Sequence, residues 1–187
     1  MKRHVGSKIP VLNARKGANA GDERMNKSGL DATDIRILSA VQKHGELSKS
    51  RLAEMVNLSP TPCWERLSRL KAAGYIRGYR GVIALDRLGD FTQVVVTISL
   101  TQHRKIDFDR FEDRIRTLDQ VTECIATGGG MDYVLKVYAP SLTAFQSLME
   151  SLLTEDLGIG RYMTYIVTRN VKSTVPNLAD LVTPTRR

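Results

Sequence analysis

The run Ser59-Pro60-Thr61-Pro62-Cys63-Trp64-Glu65-Arg66-Leu67-Ser68-Arg69-Leu70 sets hydroxyl, carboxylate and guanidinium groups at helical spacing. On a wheel turning about 100° per residue, Cys63, Leu67, Leu70 and Gly74 fall within roughly 60° of one another and form the face expected to be buried. Thr61, Glu65, Ser68 and Arg69 fall on the opposite side, with Pro62 and Arg66 toward one flank. Nucleic-acid recognition uses these groups: Arg takes a guanine edge or a phosphate, Thr offers a hydroxyl or a methyl to thymine, and Glu accepts from cytosine. Glu65 and Arg69, four residues apart, fit a charged solvent face almost as well. Trp64 lies on a flank, placed to pack against a neighbouring helix rather than to touch bases.

A second run, Thr127-Gly128-Gly129-Gly130-Met131-Asp132-Tyr133, offers different chemistry. Its glycines permit positive φ and leave backbone amides open to a carboxylate, while Asp132 could meet an ammonium group. An amino acid carries both. The turn taken alone reads more simply as a flexible hairpin loop, and Asp132 could instead pair with a basic group of the protein.

Neither run supplies catalytic machinery. Cys124 lies on an apolar strand, His103 in a polar connection, and the glycine turn lacks the Lys-Ser/Thr of a phosphate loop. Cys63 and Cys124 are far apart, and His4, His44 and His103 form no ligand-like spacing with them, so no disulfide, metal site, cofactor or catalytic residue is expected.

The elements that position these groups follow from periodicity. Asp31-Ala32-Thr33-Asp34 reads as a helix N-cap with an acid three residues on, followed by the stripe Ile35, Ile37, Leu38, Val41 and a stop at His44-Gly45. Leu47-Ser48 opens a second helix with Leu52, Ala53 and Val56 on one face, and Asn57-Leu58-Ser59 is a turn. The opening run is then a third helix ending at Ala73-Gly74. Its two prolines are tolerated because first-turn amides lack intrahelical acceptors. Ser59 is the preferred cap, with the Thr61 amide as its partner; the alternative is Thr61 as cap and Pro62 as first residue. Two helices joined by such a turn, with small Ala53 where they meet, make a helix-turn-helix whose second helix enters the major groove of double-stranded DNA. Tyr75 to Tyr79 reads as a strand-like exit.

The remainder reads strand, helix, strand, strand, helix, strand. Gln93 to Leu100 alternates with Val94, Val96, Ile98 and Leu100 on one face. Phe108, Phe111, Ile115 and Leu118 mark one helix, and Leu142, Phe145, Leu148 and Leu152 the other. Strands over Val121 to Thr127 and Tyr133 to Ala139 flank the glycine turn, and Arg161 to Val171 is expected as the last strand. This βαββαβ order is the ferredoxin-like arrangement, with both helices on one face of an antiparallel sheet, so the chain as a whole is α+β. One face and two edges stay open, which favours self-association.

Charge divides along the chain in the same way. Residues 1–28 carry seven basic and two acidic side chains (+5), residues 29–80 nine and five (+4), and residues 81–187 twelve and thirteen (−1). The basic excess lies in the half expected to meet a polyanion. The reading is a disordered basic arm (1–28), a helix-turn-helix domain (29–80), a linker (81–91), a ferredoxin-like domain (92–173) and a C-terminal tail (174–187). With no apolar run near the roughly 20 residues of a membrane span, and no apolar block at the N-terminus, a soluble cytoplasmic chain is expected.

LDATDIRIL, RLAEMVNLSPTPCWERLSRL and AGYIRGY, followed by the βαββαβ segment with GGGMDYVLKV, resemble the Lrp/AsnC (leucine-responsive regulatory protein and asparagine regulator) family of bacterial transcription factors over residues 30 to about 173. The resemblance implies a winged-helix-like DNA-binding domain. It also implies a C-terminal domain, often called RAM, that forms dimers and tetramer- or octamer-type assemblies of dimers and binds small effectors, commonly amino acids. On it, Ser59, Thr61, Pro62, Glu65, Arg66, Ser68 and Arg69 are the candidate DNA contacts. Thr127, Gly128, Gly129, Gly130, Met131 and Asp132, with Thr164 from the last strand of a neighbouring subunit, are the candidate effector site. Many relatives have an acidic residue where this chain has Gly130, which points to an effector other than leucine or asparagine. The triple glycine and DLGIGRYMTYIVTRNVK resemble a branch concerned with breakdown of ectoine or related compatible solutes, whose effector would be a small zwitterion or cationic amino acid derivative. Two other readings remain at this level: a non-specific architectural DNA protein, which the charge alone would serve, and an enzyme on the ferredoxin-like domain, for which no nucleophile or acid/base pair is evident.

Overall fold

A computed structural model of the protein describes residues 30–182; the expected basic arm lies outside the described residues, as do the last five of the tail. The chain forms two units, residues 30–81 joined by 175–182, and residues 82–174.

In the first unit, α1 (Ala32–His44), α2 (Lys49–Met55) and α3 (Pro60–Ala72) follow the expected order. Asp31 and Asp34 close a reciprocal capping box: Asp31 accepts from the Asp34 amide at 2.8 Å, and Asp34 accepts from the Asp31 amide at 3.3 Å. Ser48 caps α2 by accepting from the Arg51 amide. The α2–α3 turn is made by Asn57 at φ 55°, a left-handed position that Asn tolerates better than most side chains, with the Leu58 amide donating back to the Ala53 carbonyl at 2.9 Å. The apolar stripes of all three helices converge on Ile37, Leu52, Val56, Leu67 and Leu70, and Ala53 and Cys63 are buried at the close approaches.

Two local expectations differ from the structure. Ser59 is the N-cap of α3, but its side chain makes no capping hydrogen bond. The residue two beyond Pro60 is a second proline with no amide, which removes one of a cap's two usual partners, and the Thr61 amide does not serve as the other. The strand-like exit over Tyr75 to Tyr79 forms no strand, and among the described residues of this unit there is no strand to pair with it; Ile76 and Tyr79 still pack on the helical core.

The second unit is the expected antiparallel sheet with two helices: β1 (Thr92–Leu100), α4 (Lys105–Ile115), β2 (Val121–Ala126), β3 (Tyr133–Ala139), α5 (Leu142–Thr154) and β4 (Ile159–Ile166), in strand order β2-β3-β1-β4. Val94, Val96, Ile98 and Leu100 of β1 are buried with Tyr133, Leu135, Val137 and Ala139 of β3 against Phe111, Ile115, Phe145, Met149 and Leu152 of the helices. The opposite face, through Ile125, Met163 and Tyr165, is exposed. The last strand starts two residues before Arg161 and stops at Ile166 rather than Val171. Among the described residues its ladder partner is β1 alone, and the backbone bonds end where the Val167 amide reaches the Gln93 carbonyl at 2.9 Å. Its early start passes through a register shift at Ser99/Leu100. There Gly160 lies so close to Thr101 that a Cβ would sit 2.6 Å from the threonine methyl and 3.3 Å from its amide nitrogen. Part of the expected tail is helical: α6 (Leu178–Val182) packs on α1.

Candidate nucleic-acid interface and effector loop

The exposed side of α3 is assembled from the spacing that the sequence displays. Cys63, Leu67 and Leu70 are buried, and this turns Thr61, Glu65 and Ser68 outward, with Ser59 and Pro62 exposed at the N-terminal tip. The side chains of Thr61, Glu65 and Ser68 make no hydrogen bond or ion pair among the described residues. They are a hydroxyl, a carboxylate and a hydroxyl exposed to solvent.

The two arginines of the same helix are differently placed. Arg66 Nη1 lies 2.5 Å from Asp31 Oδ2 and 2.9 Å from Asp34 Oδ1. Arg69 Nη2 reaches both Asp34 oxygens, at 2.8 and 2.7 Å. Asp34 is only 1% exposed, whereas the Arg69 side chain is 60% exposed. Hydrogen bonds from Arg66, then from the Asp34 amide, hold the Asp31 carboxyl below its ordinary range, and the same two acids raise Arg66. Both arginines are thus anchored to α1. Sequence reasoning took Asp31 and Asp34 as a cap alone. Their second role needed the knowledge that α1 crosses the Arg66 flank of α3.

On the opposite flank, Trp64 is covered by cations: Lys49 Nζ lies 4.3 Å from the ring centroid and Lys71 Nζ 5.7 Å. Lys71 also stands 5.0 Å over Tyr79. Trp64 meets a side chain of the preceding helix, as its wheel position suggests. Lys49, Lys71 and Tyr79 were not singled out from sequence, where the only signal was the i, i+7 spacing of Trp64 and Lys71.

In the second unit, the β2–β3 connection is closed at its neck. The Thr127 amide donates to the Asp132 carbonyl at 2.8 Å and the Thr127 hydroxyl to the Met131 carbonyl at 2.5 Å. Only Gly129 of the three glycines has a positive φ, 128°, and space is open where a Cβ would stand at Gly128, Gly129 and Gly130. Ser99 Oγ and Arg161 Nη2 each lie 3.4 Å from the Met131 sulfur. Asp132 is engaged by the protein: its Oδ2 accepts from the Leu100 amide at 2.7 Å, and His103 Nε2 lies 3.2 Å from the carboxylate. The basic partner weighed for Asp132 is therefore His103.

Thr164 lies on the far side of β1 from this turn, opposite Val96 in the β1–β4 ladder. It lines a groove of about 430 Å³ between α5 and β4, with Leu142, Phe145, Tyr162 and Ile166 among the walls. Within one chain the turn and Thr164 are not brought together. Cys124 offers no thiolate at neutral pH, because desolvation, with a smaller push from the Glu112 carboxylate, raises its thiol to about 11.

Residues 30–77 match the family described as winged helix-turn-helix DNA-binding, and residues 93–176 match the Lrp/AsnC ligand binding domain. The transcriptional regulatory protein DoeX of Halomonas elongata is 44% identical over 156 residues, which cover 82% of this chain and 99% of that protein. The leucine-responsive regulatory protein of Haemophilus influenzae is 35% identical over 152 residues, 81% of this chain and 92% of that protein. Among solved structures, a transcriptional regulator of Neisseria meningitidis in complex with L-Met aligns with a TM-score of 0.74 at 30% identity, covering 81% of this chain and 99% of that one. Escherichia coli AsnC aligns with a TM-score of 0.69 at 28% identity, covering 79% and 98%.

Proposed function

Because this chain belongs to the Lrp/AsnC family of transcriptional regulators, with a DNA-binding helix-turn-helix and a ligand-binding domain, we propose that it reads its operator through the outward face of α3. Thr61, Glu65 and Ser68 meet base edges, and Ser59 and Pro62 bring the helix tip to the groove floor. The observation that carries this reading is that these three polar side chains are exposed and unengaged while the neighbouring polar groups of α3 have partners. A self-assembled dimer presents two such helices to half-sites about one helical turn apart. The open sheet face, with Ile125, Met163 and Tyr165 exposed, is the surface assigned to that assembly.

The effector is an amino acid or a zwitterionic derivative, including ectoine-type compounds. Amides of Gly128 to Gly130 take its carboxylate, and Thr127, Met131, Asp132 and a neighbouring subunit's Thr164 complete the site. The L-Met bound by the Neisseria relative supports the ligand class. With Asp132 already held by Leu100 and His103, the carboxylate end of the ligand has the freer contacts. Footprinting on the DNA upstream of the gene, with and without a calorimetric panel of amino acids and ectoine derivatives, tests both parts. Protection at specific sequences, with the pattern changed by one ligand, is the expected result. Uniform protection of unrelated DNA, insensitive to every ligand, would make the protein architectural.

A further inference from the structure

We propose that Asp34 withholds Arg66 and Arg69 from the DNA backbone, and that the phosphate-binding charge of the recognition helix comes from the opposite flank, Lys49 and Lys71. This rests on the reading that α3 enters the major groove.

Both faces of the argument are geometric. Asp34 is buried to 1% exposure on a helix whose first turn it also caps, so its carboxylate is fixed in place. Three N–H···O contacts between 2.7 and 2.9 Å join it to the two guanidinium groups, and Arg66 gains a further contact at Asp31. Carrying either arginine to a phosphate would take one of its two cationic partners from a buried carboxylate, and carrying both would leave that charge unpaired, which is far more costly than an exposed pair is favourable. Arg69, 60% exposed, is accessible to DNA yet tethered, so its charge is balanced before any phosphate arrives. Lys49 and Lys71 differ in kind. Each sits over the Trp64 ring and has no carboxylate partner among the described residues. An aromatic face orients an ammonium without neutralising it, which leaves the full charge for a phosphate. The arginines are therefore positioning residues that set how α3 lies against α1, and the lysines carry the electrostatic attraction.

The slope of log K against log salt counts phosphate contacts, at about 0.9 per contact on duplex DNA. It is measured with the full chain on its upstream DNA and on an unrelated duplex. Lys49→Met and Lys71→Met are each expected to flatten the slope by about 0.9 for every recognition helix bound, hence about 1.8 for a dimer on its operator, and Arg66→Met and Arg69→Met to leave it unchanged. Asp34→Asn, the same shape without the charge, releases Arg69 while Asp31 still holds Arg66, and is expected to steepen it by about 0.9 for every recognition helix bound and to raise affinity for the unrelated duplex more than for the operator. A purely structural Asp34 would instead weaken both complexes in parallel at constant slope, which overturns the proposal. So does a flattened slope in either arginine variant. If Asp34→Asn fails to fold by circular dichroism, the arginine and lysine arms decide. The underlying groove reading fails separately, when Thr61→Ala with Ser68→Ala leaves the ratio of operator to unrelated affinity unaltered whatever the slopes do.

Discussion

Asp31 shows how one side chain serves two structures at once. It caps α1 through the Asp34 amide and it pairs with Arg66 on α3. Its folded-state carboxyl lies below the ordinary value of 3.8, mainly because of Arg66. A depressed carboxylate contributes stability that is complete above the unfolded value and is lost as pH falls through the folded one. Asp107, lowered by Arg104, and Glu155, lowered by Arg114, act in the same direction in the second unit. Urea midpoints of the protein are therefore expected to hold from neutral pH down to about 5 and to drop below about 4. Asp31→Asn, which keeps a good capping group, should flatten that acid limb; an unchanged limb would show that the Arg66 pair contributes nothing. At the outward face, Thr61→Ala or Ser68→Ala is expected to relax discrimination at one base position by about 1–3 kcal/mol with little change in salt slope, read by competition binding on singly substituted operators. The outward set was legible in the sequence because a wheel fixes which residues oppose the core. The engagement of Arg66 and Arg69 was not, because it depends on another helix.

At the scale of elements, capping separates helices that look alike on paper. Ser141 accepts from the Ala144 amide at 3.1 Å, whereas Ser59 makes no such bond. Ser141→Ala should cost about 1 kcal/mol in denaturant unfolding, and Ser59→Ala is expected to stay within about 0.5 kcal/mol. Leu70, 1% exposed among Ile37, Leu52 and Leu67, is a core position of ordinary kind, and Leu70→Ala should cost roughly 2–5 kcal/mol and lower the thermal midpoint accordingly. The six elements of the sheet unit could be read from the sequence: β1, β3, α4 and α5 each bury a single face and show it as alternation or helical periodicity, whereas the edge strands β2 and β4 have no buried residue and are marked by their β-forming composition. Its edges were misplaced. A strand ends where its partner ends, and β4 depends on β1, more than sixty residues earlier in the chain. The exit after α3 has the same dependence: Tyr75 to Tyr79 carries strand-forming residues and has no strand to pair with among the described residues of its own unit.

For the whole molecule, the central strands β1 and β3 bury one face of the sheet under α4 and α5, and the other face carries exposed Ile125, Met163 and Tyr165. Met163→Asp places a charge on that open face without touching the core and is expected to shift sedimentation toward the monomer. Because two linked recognition helices bind more tightly than one, operator affinity should fall with it. By linkage, an effector that tightens operator binding by a given factor is itself bound more tightly, by the same factor, when operator DNA is present. The sequence by itself determined the family, the order of elements, the division between a basic DNA-binding half and a neutral sheet, and the outward face of α3. The family is carried by the likeness of particular segments, LDATDIRIL, SPTPCWERLSRL and GGGMDYVLKV among them, and the other three properties by local periodicity, capping residues and charge. Only the tertiary structure decided that Asp34 holds the two arginines, that His103 and the Leu100 amide occupy Asp132, that Thr164 stands across β1 from the glycine turn, and where β4 ends. Each of these joins residues from different elements, and such a meeting is fixed by packing rather than by spacing along the chain.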